Sequence, residues 1–250
     1  MIRTEHLIKK YGGLVAVNDL NLDIAQGQCF AFLGPNGAGK TTTIKLLAGL
    51  LKPTSGRALV GGHDIQKDPV AARKLLGFVP DMPFLYDKLD PMEFMLFIGQ
   101  LYGMNRPAVV RATDELFDLF DLDETRRQLI ENLSHGTRQR LVIASALLHE
   151  PKVIIIDEPM VGLDPRSARV VMNVLKRRSR GGVTVFLSTH ILSIAEELAD
   201  QAGILNHGKL IAVGTIDQLR EMSGEGGALE DAFLALTREE EEEGAAAGTP

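Results

Sequence analysis

The feature that most constrains this chain is the stretch Gly34-Pro35-Asn36-Gly37-Ala38-Gly39-Lys40-Thr41-Thr42. It follows an apolar run at residues 29–33 and precedes a helical pattern, so the order is strand, glycine-rich loop and helix. Glycines let backbone N–H groups turn inward around an anion, and a helix that begins at Gly39 adds free N–H donors. Lys40 can reach the β- and γ-phosphates of a nucleotide, and the Thr41 hydroxyl suits Mg²⁺. The stretch therefore predicts a phosphate-binding P-loop.

Composition limits the other classes to which the chain can belong. Its 250 residues, 45% hydrophobic and 24% charged, are those of an ordinary globular protein with one large or two small domains. A net charge of −6 gives no reason to expect nucleic acid as a partner. The single cysteine, Cys29, lies in an apolar run and cannot form a disulfide within the chain, which is typical of a reducing cytoplasm. No signal core or stretch of about 18 apolar residues is found, so we expect any membrane role to come through a partner.

The apolar pattern predicts an α/β fold with a mostly parallel sheet. Continuous apolar runs at 29–33, 153–156 and 183–187 indicate strands buried on both faces. An antiparallel strand pair is predicted over residues 2–24, with short strands at 57–60, 77–79 and within 203–213. Helical patterns cover 42–51, 92–104, 108–120, 137–149, 167–180 and 192–199. The region 82–150 is predicted to be a mostly helical insert.

The sequence also predicts the domain organisation. We expect one domain over residues 1–222, with the helical subdomain at about 82–150. A short C-terminal extension with a helical segment at 228–236 would occupy residues 223–238. A glutamate run begins at residue 239, and we expect residues 239–250 to form a disordered acidic tail.

Two acidic residues follow the buried strand at 153–156. Asp157 and Glu158 would lie at the carboxyl edge of the sheet, where the P-loop also ends and where ligands bind in open α/β folds. Asp157 could hold Mg²⁺ or its water, and Glu158 could polarise a water for attack on the γ-phosphate. An N-cap or a solvated pair at a strand end is the alternative, which the nearby P-loop disfavours.

A second helix start is marked by Leu133-Ser134-His135-Gly136. Ser134 is a good N-cap for the helical pattern that follows, and its helix start is a second end that could accept an anion. From the pattern alone, a simple cap is the better interpretation.

These motifs, in this order, resemble the nucleotide-binding subunit of an ABC transporter. The resemblance spans about residues 2–215 and includes Tyr11, the P-loop, 133–136 with Gln139-Arg140, 153–158, Gly162-Leu163-Asp164-Pro165 and Ser188-Thr189-His190. It implies an ABC-type P-loop NTPase fold that binds ATP and Mg²⁺ and hydrolyses ATP. It also implies a homodimer or a paired ABC subunit that is cytoplasmic and peripheral on the inner face of the membrane through a transmembrane permease. The single cassette and the segment 228–236 resemble exporters of the ABC-2-like type.

The resemblance assigns roles to individual residues. Tyr11 would stack on adenine, and Gly34 to Thr42 would bind phosphates, with Thr41 and Asp157 on the metal. Glu158 would be the general base and His190 would contact the γ-phosphate. The remaining roles lie between two subunits: Ser134 and Gly136 would close over the partner's nucleotide, and Asp164 would link the two sites.

The sequence departs from the family pattern at two places. Asp81 stands where the family usually has a glutamine; it could approach a metal but cannot act as an amide donor. Ser134-His135-Gly136-Thr137 replaces the commoner Ser-Gly-Gly-Gln. Because the other elements are intact, we expect hydrolysis.

Three questions stay open at the level of sequence. A soluble ABC ATPase of translation, DNA repair or cluster assembly is one alternative function, although the translation factors carry paired cassettes and the repair proteins carry long coiled coils. A regulatory module with little turnover is another, for which Asp81 is the only hint. The apolar segment 82–86 could pack in the core or form an exposed patch for a transmembrane partner. His207 and the other scattered histidines are interpreted as loop or surface residues.

Overall fold

The computed structural model describes residues 1–82, 84–222 and 228–247, with side chains up to residue 238. The described strands are β1 (Ile2–Tyr11), β2 (Leu14–Ile24), β3 (Cys29–Leu33), β4 (Ser55–Val60), β5 (His63–Asp64), β6 (Leu76–Val79), β7 (Val153–Asp157), β8 (Thr184–Thr189), β9 (Gln201–Asn206) and β10 (Lys209–Thr215). The described helices are α1 (Lys40–Leu47), α2 (Pro69–Lys74), α3 (Pro91–Leu101), α4 (Arg106–Leu119), α5 (His135–Leu147), α6 (Pro165–Arg180), α7 (Leu192–Leu198), α8 (Ile216–Glu221) and α9 (Leu229–Ala247). Within the described residues, no helix combines the length and the apolar character that crossing a membrane requires.

The strands form two sheets. An antiparallel sheet has the order β2-β1-β4-β5, and a six-stranded sheet has the order β10-β9-β3-β8-β7-β6. In the larger sheet β9, β3, β8, β7 and β6 pair in parallel, and β10 is antiparallel to β9. The described part of the segment 82–150 is helical and contains no strand. The predicted fold class, a mostly parallel core with an N-terminal antiparallel part and a helical insert, is confirmed.

The register of the parallel strands brings four strand ends to one edge. Leu33 at the end of β3 pairs with Thr189 of β8, and Asp157 at the end of β7 pairs with Ser188. Val79 at the end of β6 pairs with Ile156. The P-loop, the two acidic residues and the segment after β6 therefore leave the sheet side by side.

An aromatic cluster lies at the centre of the core between the two sheets and α1. The rings of Phe30 and Phe186 are 5.8 Å apart and stacked, and those of Phe32 and Phe186 are 5.3 Å apart. All three side chains are fully buried. A second buried cluster lies on the other face of the large sheet, among α5, α6 and the helical insert. Strands covered on both faces explain why β3, β7 and β8 are continuously apolar.

Several boundaries differ from the sequence prediction. The helix predicted over 42–51 ends at Leu47, because Gly49 takes a left-handed φ of 69° and its N–H bonds to the Leu46 carbonyl, which closes the last turn. The short helix α2 is not predicted, although Asp68 followed by Pro69 is a helix-start signal.

The C-terminal extension is a helix docked on the large sheet. Leu229 and Ala232 of α9 are buried, and the Asn206 side chain donates to the Thr237 carbonyl at 3.3 Å. The backbone helix continues to Ala247 through the glutamate run, for which the sequence predicts a disordered tail; glutamate and alanine are strong helix formers. Residues 223–227 and 248–250 of the predicted extension and tail lie outside the described residues.

Replacing Phe186 by Ala tests the aromatic cluster. We expect Phe186→Ala to lower the free energy of unfolding by about 3–5 kcal/mol, because it removes the ring that contacts both Phe30 and Phe32. Urea denaturation followed by circular dichroism measures the change. Val213→Ala, at a half-exposed strand position, is the control and should stay within about 0.5 kcal/mol of wild type. Equal losses in both variants would contradict a core centred on Phe186.

Candidate functional site

A pocket of about 440 Å³ opens at the edge where the parallel strands end. It joins residues from the P-loop, the first strand pair, the segment after β6, the end of β7 and the β9–β10 turn. The residues that line it are Tyr11, Leu14, Val15, Ala16, Asn36, Gly37, Gly39, Lys40, Thr41, Thr42, Asp81, Glu158 and His207. Most of the predicted nucleotide-contacting residues thus converge in one cavity.

The P-loop is held against two neighbouring segments. Gly39 has a φ of 107°, and a Cβ there would lie 2.2 Å from the Ala16 carbonyl oxygen, so only glycine fits. On the other side the Gly208 N–H donates to the Ala38 carbonyl at 2.9 Å. The Gly208 carbonyl in turn accepts from the Asn18 N–H at 2.8 Å. These contacts fix the loop between the first strand pair and the β9–β10 turn.

Lys40 begins α1 and is 7% exposed. Its ammonium donates to the carbonyl oxygens of Gly34 at 2.7 Å and Pro35 at 3.1 Å. Burial lowers the pKa of Lys40, whereas the nearby carboxylates of Glu158 and Asp157 act in the opposite direction. A buried cation at the start of a helix, within a loop of backbone amides, is suited to bind a phosphate.

Asp157 lies beneath the pocket at 2% exposure. Burial raises the pKa of its carboxyl group, and hydrogen bonds from the Ser188 and Thr41 hydroxyls partly oppose that rise. The carboxylate and the Thr41 hydroxyl are hard oxygen donors beside a phosphate-binding loop. That donor set fits Mg²⁺, which prefers one or two carboxylates together with substrate phosphates.

Glu158 follows β7 in a left-handed conformation with φ of 50°. Its N–H donates to the carbonyl and hydroxyl oxygens of Ser188, both at 3.2 Å. Its Oε1 lies 2.9 Å from Nδ1 of His190, at the end of β8. A non-glycine residue at this φ costs about 1–3 kcal/mol, and such strain clusters at active sites.

Tyr11 lies at the rim of the pocket, where β1 turns into β2. The residue is 45% exposed, and the ammonium of Lys9 lies 5.0 Å from the ring centroid. One face of an exposed aromatic ring at a nucleotide pocket is free to stack on a base.

Of the predicted site residues near the pocket, Gly34, Pro35, Ala38, Asp157 and His190 do not line it themselves. Ser134, Gly136 and Asp164 lie outside it. Ser134 caps α5 by accepting from the Thr137 N–H at 3.2 Å, as the cap interpretation predicts. Asp164 caps α6; hydrogen bonds from the hydroxyl and N–H of Ser167 hold the pKa of its carboxyl low. The two helix starts are neighbours, because a Cβ on Gly162 would lie 2.4 Å from the His135 ring. Gly136 lies in the same place, because a Cβ there would lie 3.7 Å from the Gly162 carbonyl oxygen and 3.9 Å from the Leu163 side chain.

Four pocket residues are absent from the sequence prediction: Leu14, Val15, Ala16 and His207. His207 is in a loop, as predicted, but that loop reaches the pocket because β9 lies beside β3 in the sheet. No sequence motif predicts that the β9–β10 turn reaches the pocket. Leu14, Val15 and Ala16, the first residues of β2, could have been included because they follow Tyr11 after a two-residue turn.

Comparisons with known proteins agree with the geometry. The profile of the ABC transporter family matches residues 17–161. The linearmycin resistance ATP-binding protein LnrL of Bacillus subtilis is 36% identical over 215 residues, which cover 86% of this chain and 69% of the relative. The daunorubicin/doxorubicin resistance ATP-binding protein DrrA of Streptomyces peucetius is 37% identical over 223 residues, covering 89% and 68%. The bacitracin transport ATP-binding protein BcrA of Bacillus licheniformis is 38% identical, covering 88% and 72%.

Solved structures show the same fold. An ATP-binding subunit of an ABC transporter superposes with a TM-score of 0.89 at 31% identity, covering 95% of this chain and 99% of that one. A dimeric ATP-binding cassette in a post-hydrolysis state, bound to ADP and Pi, superposes with a TM-score of 0.78 at 25% identity, covering 86% and 98%. The resemblance inferred from the motifs is confirmed: the chain belongs to the ABC transporter family, as an ATP-binding subunit that hydrolyses ATP.

Proposed function

We propose that the chain powers export through a separate membrane permease, by binding Mg²⁺–ATP between two copies of itself and hydrolysing it. The observation that carries this proposal is the placement of Lys40, Glu158 and His190 at one sheet edge. The ammonium supplies charge for phosphates, and the carboxylate held by the imidazole at 2.9 Å supplies a base. This is a set of groups for phosphoryl transfer to water.

Several residues at this sheet edge have a part in this reaction. The loop amides and Lys40 bind the phosphates, and Tyr11 stacks on the base. Glu158 accepts the proton of the attacking water, and the Nδ1–H of His190 orients that carboxylate. When both ring nitrogens carry a proton, Nε2 can also donate to the γ-phosphate. Thr41 and Asp157 would hold Mg²⁺, which neutralises charge on the phosphate oxygens when it is bound.

The dimer is supported by the residues that stand apart from the pocket. Ser134 and Gly136 lie at the start of α5, whose N–H groups can receive an anion, yet they do not line the pocket of their own chain. A second copy facing the first would bring this helix start to the γ-phosphate. Asp164, next to that helix start, would then link the two nucleotides. Such help in trans is worth about 10³–10⁵ in rate where an arginine supplies it.

Export is supported by the relatives. The names of three of them refer to resistance or transport of linearmycin, daunorubicin/doxorubicin and bacitracin. For this chain, a permease partner would hold the ATPase at the inner face of the membrane.

An exposed aromatic patch offers a docking surface for that permease. We define it as Phe84, Tyr86 and Phe97; Phe84 is 78% exposed and Tyr86 is 47% exposed. Their rings contact each other edge to face, with centroid distances of 6.0 Å and 5.3 Å from Tyr86. Of the segment 82–86, Leu85 is buried, and Pro83 lies outside the described residues. The prediction of an exposed patch therefore fits Phe84 and Tyr86. Both residues follow Asp81 closely in the sequence and could signal to the permease whether nucleotide is bound.

Glu158→Gln tests the assignment of the base. The amide keeps the shape but cannot accept a proton, so we expect ATP hydrolysis to fall at least about hundredfold, and an ATP-bound dimer to accumulate. Phosphate release and light scattering after gel filtration measure the two effects. Glu115→Gln, on the exposed side of α4, is the control. A Glu158→Gln protein that stays monomeric in saturating ATP and hydrolyses it at the wild-type rate would falsify the proposal.

Asp157→Asn tests whether the metal-binding carboxylate is kept at a cost to stability. Because burial raises the pKa of Asp157, the folded state binds its proton more readily than the unfolded state does. Stability from this group therefore falls as pH rises above the ordinary aspartate range. Without nucleotide or metal, we expect Asp157→Asn to raise the melting temperature by a few degrees at pH 7, and the gain to vanish in acid.

Differential scanning calorimetry across this pH range measures the effect on Asp157→Asn. Asp23→Asn, at an exposed position on β2, is the control and should change little at any pH. A lower melting temperature for Asp157→Asn at pH 7 would show that the ionised carboxylate stabilises the fold instead.

A double substitution tests the aromatic patch. We expect Phe84→Ser with Tyr86→Ser to abolish co-purification with the permease in detergent. The ATPase activity of the isolated chain should be kept, because the two rings would contact the permease and not the nucleotide. Val70→Ser, which is 65% exposed elsewhere, is the control. Loss of cooperative unfolding in the double variant would favour a core role. Unchanged co-purification would exclude this surface as the docking site.

A further inference from the structure

The pairing of β6 with β7 places Asp81 in the nucleotide pocket. Val79 ends β6 beside Ile156 of β7, so the residue two places on emerges next to the two acidic residues that follow β7. Asp81 lines the pocket together with Thr41 and Glu158. Its Oδ1 accepts the Met82 N–H at 2.9 Å, which restrains the carboxylate.

Negative charges outnumber positive charges at this end of the pocket. Three carboxylates, those of Asp81, Asp157 and Glu158, lie at or beneath the wall that faces Lys40. The ammonium of Lys40 is already hydrogen bonded to two loop carbonyls. Asp81 is close enough to Asp157 to repel its charge. A free triphosphate, with its several negative charges, meets repulsion from this wall.

We propose that Asp81 selects the form in which nucleotide is bound: it repels free ATP and accepts the complex of ATP with a divalent cation. The proposal rests on the function inferred above and names a specificity of the same site. A divalent cation bound with the phosphates would offset this repulsion, because its positive charge would attract the Asp81 carboxylate. A neutral amide at this position would bind both forms with less discrimination.

The expected size of the effect follows from exposure. Asp81 is a solvent-exposed residue, so water and salt screen its charge and the discrimination is moderate. We expect one such charge to change the ratio of the dissociation constants in chelator and in Mg²⁺ by about tenfold. Most of that change should come from free ATP, since the repulsion concerns only that form.

The test is calorimetric titration of the full chain with ATP, in excess EDTA and in MgCl₂ at equal ionic strength. The measured quantity is the ratio of the dissociation constants in EDTA and in Mg²⁺. Asp81→Asn keeps an oxygen that can accept the Met82 N–H and removes only the charge; we expect it to reduce the ratio about tenfold. Asp81→Glu, which keeps the charge, should stay near the wild-type ratio, and so should Asp118→Asn, which removes an exposed carboxylate of α4.

The outcomes separate this proposal from the function on which it rests. A wild-type chain that fails to bind ATP in Mg²⁺ contradicts the proposed function. A wild-type chain that binds Mg²⁺–ATP, with Asp81→Asn at the same ratio, overturns the role of Asp81 alone. An equal fall in Asp118→Asn also overturns it, since net charge would then be the cause. If Asp81→Asn loses its cooperative melting transition, Asp81→Gln takes its place and the same criteria apply.

Discussion

The shared edge of the parallel strands is the constraint on which the site depends. Hydrogen bonding between β3, β8, β7 and β6 fixes their register, and with it the points at which the chain leaves the sheet. Residues that are distant in sequence, such as Lys40 and Glu158, meet because their strands end together. The side chains of the site are thus positioned by backbone pairing in the core, which is far more rigid than the loops that carry them.

The same core holds two residues that lower the stability of the fold. Asp157 is a carboxylate at 2% exposure, and Glu158 has a left-handed backbone. Both are tied to Ser188 on the next strand, one by its side chain and the other by its N–H. The hydrophobic interior around Phe186 stabilises the fold enough to offset the destabilisation caused by these two residues. The concentration of such destabilising features at one strand end is typical of a functional site.

The sequence predicts the parts of the site whose chemistry is local. The P-loop and the pair Asp157 and Glu158 are contiguous motifs, so their order alone identifies them. His207 and Ala16 are different, because they reach the pocket only through the order of strands in the sheet. Likewise, an apolar segment does not reveal whether it is covered, so the exposure of Phe84 needed the packed structure.

The hydrogen bonds of Lys40 affect which anions the loop can bind tightly. Two carbonyl oxygens of its own loop compete with any incoming anion for the ammonium, so phosphate capture is an exchange of partners. A small anion such as orthophosphate would gain little binding free energy, because its bonds to the ammonium only replace the two bonds that are lost. A polyphosphate chain would also accept hydrogen bonds from the backbone amides along the loop and at the start of α1, which would outweigh the loss of the two lysine–carbonyl bonds. We therefore expect the loop to bind a polyphosphate more tightly than a single phosphate.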